Sequence, residues 1–189
     1  MNQGVYSRVY EAARVQERER VRTFIDDIKN DIASAPFFLN LFAPNGFGKT
    51  AFLRQLWDDY EFTLPTSLVC MNNFAERDTG EVALRDVLVQ TVHDLSERLP
   101  KRVFAVPTNY KEWTNEKQLT ELLLSLIFAA KDYEKLTLLL IDDYDLMPQG
   151  QRRWFQDRVF SPAVKTKKVA VILTSKTELK LTESFELRM

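Results

Sequence analysis

Apolar residues recur along this chain at two different spacings, and the alternation between them organises the whole sequence. From Tyr6 to Asp31 the positions Val15, Val21, Phe24, Ile25 and Ile28 follow a helical period among charges such as Glu17-Arg18-Glu19-Arg20, which predicts one long amphipathic helix or two. Pro36 ends that pattern. Phe37–Phe42 is then an almost unbroken apolar run, as expected of a strand covered on both faces. A glycine-bearing turn, Ala43–Gly48, leads into a helical run at Lys49–Tyr60. Thr66–Met71 reads as a second strand, Glu81–Leu99 and Asn115–Ala130 as helices, and Leu136–Ile141 as a third strand. Gln149–Phe160 reads as a helix, Val169–Leu173 as a fourth strand, and Phe185–Arg188 as the start of a fifth. Lys101–Trp113, around Pro107, is irregular.

Strands that alternate with helices imply parallel βα units joined by right-handed crossovers, so the fold class is α/β. No repeat, low-complexity segment or Gly/Ser-rich linker divides the chain, which predicts one domain over residues 1–189. The chain stops at Met189 as a strand begins, so an N-terminal fragment of a longer protein is expected.

Charge and composition narrow the chemistry. Twenty-six Lys and Arg nearly cancel twenty-seven Asp and Glu, which gives no global electrostatic case for nucleic acid or an anionic membrane. Cys70 is the single cysteine and His93 the single histidine, so an internal disulfide is excluded and a Cys/His zinc site is disfavoured. His93 reads as a partly exposed structural residue and Cys70 as a small buried hydrophobe. The first residues lack the apolar core of a signal peptide, and no apolar stretch approaches the ~20 residues that span a bilayer. A soluble, cytoplasmic protein without membrane contact is expected. Lys165, Lys167, Lys168, Lys176 and Lys180 form a basic bias that reads as solvated lysines, with a DNA or RNA contact as the weaker alternative.

The most informative stretch is Ala43-Pro44-Asn45-Gly46-Phe47-Gly48-Lys49-Thr50, which matches G-x-x-x-x-G-K-[ST] everywhere except its first position. Gly46 and Gly48 let the backbone curl until successive N–H groups face inward as an anion nest, and the following helix adds the positive end of its dipole. Contacts to the phosphates are therefore expected from Pro44, Asn45, Gly46, Phe47, Gly48, Lys49, Thr50 and Ala51. Lys49 reaches the β- and γ-phosphates, and the Thr50 hydroxyl is a ligand for Mg²⁺. The Phe47 side chain reads as a packing residue.

Leu136–Ile141 runs into Asp142 and Asp143, as a Walker B strand does. Asp142 is expected to hold Mg²⁺, a cation that wants hard oxygen ligands, and Asp143 to orient or deprotonate the attacking water. Asp145 reads as a turn residue before Pro148. Thr174-Ser175-Lys176 ends the fourth strand on the same side of the sheet, where ligands of such folds sit. Trp154 and Phe155 are expected to pack on the sheet or a neighbour, beside Arg152 and Arg153.

With these three sites in order, the chain resembles the nucleotide-binding core of AAA+-like ATPases, closest to the STAND signalling ATPases and the origin-recognition-type ATPases. Val15-Gln16-Glu17-Arg18-Glu19 loosely resembles their Phe-Val-Gly-Arg-Glu box, and Thr174-Ser175-Lys176 their sensor 1, with Lys in place of Arg. The resemblance implies a three-layer P-loop NTPase fold with a parallel sheet of order 5-1-4-3-2 flanked by helices, and a lid domain absent from this chain. It implies ATP and Mg²⁺ as cofactors, Lys49 and Asp143 as catalytic groups, and Arg18 and Thr174 beside the nucleotide. The implied function is Mg²⁺-dependent ATP hydrolysis, slow in the isolated core, used as a nucleotide-gated switch in a signalling protein. Partners implied besides ATP or ADP are a protein or a second copy, bound through regions after Met189. The alternatives are a non-catalytic nucleotide-binding interaction module and an AAA+ loader or remodeller acting on DNA.

Overall fold

The structure is a computed structural model; it describes residues 14–32, 36–75, 82–179 and 184–188, the last stretch as backbone only. Expectations for Tyr6 to Ala13, Glu81 and Lys180 lie outside these residues. In chain order the elements are α1 (Val15–Lys29), β1 (Phe38–Phe42), α2 (Lys49–Tyr60), β2 (Thr66–Cys70), α3 (Leu84–Arg98), α4 (Glu116–Asp132), β3 (Thr137–Asp142), α5 (Gln149–Phe155), α6 (Ser161–Val164), β4 (Val169–Ser175) and β5 (Ser184–Arg188). Asn115 caps α4, its side-chain oxygen accepting from Lys117 N at 2.9 Å and satisfying one of the free amides of the first turn. The helix expected over Gln149–Phe160 forms and runs on to Val164, with a π segment inside it. A π-turn at Gln156–Phe160 joins α5 to α6, and it presents Phe155, Val159 and Phe160 together to the core.

The strands form one parallel sheet in the order β2-β3-β4-β1-β5. Phe38 stands opposite Val171, Leu138 opposite Thr66, and Val169 opposite Thr137. The central strands are mostly apolar because both faces are covered, and the two-residue period of a strand sorts their side chains between two cores. Leu39, Leu41, Leu138, Leu140, Ala170 and Ile172 meet α1 and α2 on one face, through Val21, Ile25, Phe52 and Leu53. Phe38, Leu139, Ile141, Val171 and Leu173 meet α3, α4 and the π-turn on the other, through Leu88, Val92, Leu123 and Phe160.

This sorting positions the site. Continuing the alternation past Leu140 and Ile172 puts Asp142 and Thr174 on the face that carries α2, where that helix begins. Cys70 stands opposite Asp142 in the register, so three strand ends bring polar side chains to one level.

Candidate functional site

Gly46 and Gly48 both have positive φ, 82° and 70°. A left-handed backbone costs an L-residue roughly 1–2 kcal/mol, so glycine is the residue that makes this turn without strain. Gly48 is also the N-cap of α2, so the loop passes directly into a helix whose first amides are free to face an anion. Lys49 lies under the loop, 6% exposed, and its ammonium donates to Ala43 O at 2.7 Å and Pro44 O at 3.1 Å. Those bonds tie the entry of the loop to its exit.

At the neighbouring strand ends, Asp142 is 1% exposed and its carboxylate is fully engaged. It accepts from the Thr50 hydroxyl on Oδ2 at 2.5 Å and from the Thr174 hydroxyl on Oδ1. The Cys70 thiol donates weakly to Oδ2 at 3.7 Å, and burial, reinforced by Asp142, pushes that thiol above its ordinary range. Thr174 in turn accepts from the main-chain N–H of Asp143 at 2.9 Å. This bond fixes the turn in which Asp143 takes a left-handed conformation, φ 54° and ψ 41°. The turn puts the Asp143 carboxylate on the cleft lining while keeping an oxygen within 4.8 Å of Asp142 and of the Cys70 sulfur. Burial, and then the charges of Asp142 and Asp145, raise the Asp143 carboxyl above the usual range, while Lys49 and Lys176 pull it back.

The cleft has a volume of about 900 Å³. Asn45, Gly46, Gly48, Lys49, Thr50 and Ala51 form its floor, and Asp143, Leu146 and Lys176 one wall. Arg54, Gln55 and Asp58 of α2 and Asn72 complete its lining. These four went unnoticed in the sequence. The helical repeat places Arg54 and Asp58 one and two turns beyond Thr50, a signal readable once Thr50 is assigned.

Several expectations need correcting. Arg18 is not at the cleft; it pairs with Asp59 of α2 at 2.7 Å. The arginine that reaches the loop is Arg14, which donates to Gly48 O at 3.3 Å and to Phe47 O. Thr174 does not line the cleft, because its hydroxyl is engaged by Asp142 and Asp143. Phe47 does not pack inside; it is 53% exposed at the tip of the loop. Cys70 is half-buried and polar in its contacts. By contrast, Phe155 is buried with Trp154 packed against the same core, and His93 is half-buried with Nδ1 3.2 Å from the Tyr110 hydroxyl.

The donor set fits a hard divalent cation: a carboxylate and a hydroxyl converge at the mouth of an anion nest. Thr50 and Asp142 are the groups that would hold it.

Comparison with solved structures places this arrangement. A Walker-type ATPase of Pyrococcus abyssi superposes with a TM-score of 0.59 at 10% identity, over 86% of this chain and 45% of that one. The chain shares the fold of that protein's nucleotide-binding-type α/β core, a parallel sheet with helices on both faces. Cdc6p from Pyrobaculum aerophilum superposes at 0.54 with 13% identity, over 87% of this chain and 39% of that one. The chain thus spans less than half the length of either structure. No protein-family model and no curated protein sequence matches it. Among the described residues, no helix is long and apolar enough to cross a membrane.

Proposed function

We propose that the chain binds ATP with Mg²⁺ and hydrolyses it slowly, as the nucleotide-gated switch of a STAND-like signalling protein in the cytoplasm. The observation that carries this reading is the Thr50–Asp142 hydrogen bond at 2.5 Å. It joins the first turn of the phosphate-loop helix to the end of the acidic strand, at the point where a triphosphate on the loop would end.

The roles follow from position. The inward amides of Asn45–Lys49 and the Lys49 ammonium hold the phosphates, and the α2 dipole adds to their field. Mg²⁺, held by Thr50 and Asp142, would neutralise charge developing on the β- and γ-oxygens. Asp143 faces the cleft on a turn locked by Thr174, and it orients a water for in-line attack. Its raised carboxyl makes it a better proton acceptor than an ordinary aspartate once ionised. A carboxylate pair in which one member is buried and bonded while the other is turned outward supports hydrolysis over passive binding.

Switching would couple nucleotide state to a protein partner or a second copy; the chain spans less than half of the solved structures it superposes on, so that coupling belongs to the proposal for the whole protein. Calorimetric titration of the chain with ATP, with and without Mg²⁺, tests the reading, and Lys49→Ala serves as the control. Mg²⁺-dependent binding that disappears in the variant is the expected result. ATP binding of equal strength in both proteins would remove the phosphate-loop assignment.

A further inference from the structure

A loop that turns its amides toward an anion must turn its carbonyls outward, and those carbonyls need partners if the loop is to keep that shape. In this chain two cations supply them. Lys49 takes the carbonyls of Ala43 and Pro44 at the entry. At the exit, the Arg14 guanidinium donates through Nη1 to Gly48 O and through Nη2 to Phe47 O. Its plane also stands over the Phe52 ring, 5.6 Å from the centroid.

We propose that Arg14 is a positioning residue that braces the phosphate loop from α1 and so sets the loop's affinity for phosphate groups. The inference rests on the phosphate-binding reading above. Arg14 is itself held at both ends. Its main chain is the N-cap of α1, and its carbonyl accepts from Arg18 N at 3.0 Å. α1 is anchored by buried Val21, Phe24, Ile25 and Ile28, and Arg18 ties its first turn to Asp59 of α2. The side chain therefore reaches the loop from a rigid base.

A guanidinium suits this task better than an ammonium. Its planar fork spans two successive carbonyls while its face rests on an aromatic ring. Gly46 and Gly48 give the loop more conformational freedom than any other residue pair would, and that freedom is lost again when a ligand binds. Holding Phe47 and Gly48 in advance removes part of this loss, which is affinity gained by preorganisation. Because the brace is part of α1, any displacement of α1 reaches the loop through Arg14. This gives the amino-terminal segment a direct mechanical hold on the phosphate site.

The test compares wild type, Lys49→Ala, Arg14→Ala and Arg14→Lys. Binding of ATP and of inorganic pyrophosphate is measured by calorimetry, steady-state KM and kcat by phosphate release, and melting without nucleotide. Both Arg14 variants should bind ATP and pyrophosphate about tenfold more weakly, raise KM about tenfold and leave kcat unchanged, since preorganisation acts on binding. Melting should stay close to wild type, because Arg14 is only half-buried. Lys should fail to restore affinity. Wild-type affinity in Arg14→Ala, full rescue by Arg14→Lys, or a fall in kcat at constant KM would each overturn the brace. If Arg14→Ala does not fold, Arg14→Lys decides alone. Should wild type bind neither probe, or Lys49→Ala bind as well as wild type, the phosphate-loop reading falls and the brace with it. Normal behaviour of those two beside unaffected Arg14 variants removes the brace alone.

Discussion

The phosphate loop and the acidic strand end meet at one hydrogen bond, Thr50 to Asp142, yet they are built on opposite plans. The loop is organised through its main chain: its carbonyls are tied by Lys49 and Arg14, its glycines take positive φ, and the side chain at its tip, Phe47, is 53% exposed. The strand end works through side chains. Asp142 is buried and bonded to Thr50 and Thr174, and Asp143 lines the cleft with its amide donating to the Thr174 hydroxyl. A main-chain site tolerates side-chain change wherever φ is preserved and the tethering cations remain. A side-chain site fails when any partner is lost, because a buried polar group left unpaired costs about 1–3 kcal/mol.

The contrast can be broken in order of effect. Lys49→Ala removes the side chain that bridges the Ala43 and Pro44 carbonyls and lines the cleft. ATP affinity should fall at least ~100-fold, the scale of losing a charged contact to a phosphate in a sheltered site. Melting should change little, because water can replace the ammonium on the freed carbonyls. Titration and thermal denaturation on the same sample check both halves.

Asp143→Asn should come next, with turnover down by ~10²-fold and MgATP binding retained, as for a lost general base. Single-turnover hydrolysis beside a binding isotherm separates the two effects. Equal hydrolysis in variant and wild type would make Asp143 a structural turn residue only.

Thr174→Val tests whether the strand end is one unit. The substitution keeps the β-branched shape, but it leaves the Asp143 amide and one Asp142 oxygen without their partner. Stability should drop by about 1–3 kcal/mol, read from denaturant unfolding. Turnover should fall together with it, because the left-handed turn at Asp143 loses its lock. Normal turnover in a destabilised variant would mean that the turn holds without Thr174.

The smallest effect belongs to Phe47→Ala. A half-exposed side chain on a main-chain site should leave stability within about 0.5 kcal/mol and nucleotide affinity within about twofold. A large loss of affinity would show that the Phe47 ring touches the ligand and that the loop is not a pure main-chain site.

Local patterns decided much of this protein. The apolar runs marked β1 through β4, and the glycines before Lys49 marked a turn into a helix, because strand period and positive φ are properties of a few neighbouring residues. Asp142 and Asp143 were legible for the same reason, as polar residues ending an apolar strand. The π-turn at Gln156–Phe160 was not, since a single inserted residue per turn leaves the helical pattern intact.

Tertiary structure decided who meets whom. Nothing local to Thr174 distinguishes a residue that lines a cleft from one that holds Asp142 and the Asp143 amide; the parallel register of β3 and β4 made it the second kind. Arg14 and Arg18 are one helical turn apart and chemically identical, and the sequence favoured Arg18. The packing angle of α1 against α2 sent Arg18 to Asp59 and Arg14 to the loop. A residue's chemistry is written at its own position, but its partner depends on how whole elements pack. That packing is set by many weak apolar contacts distributed over the chain, so no short motif carries it.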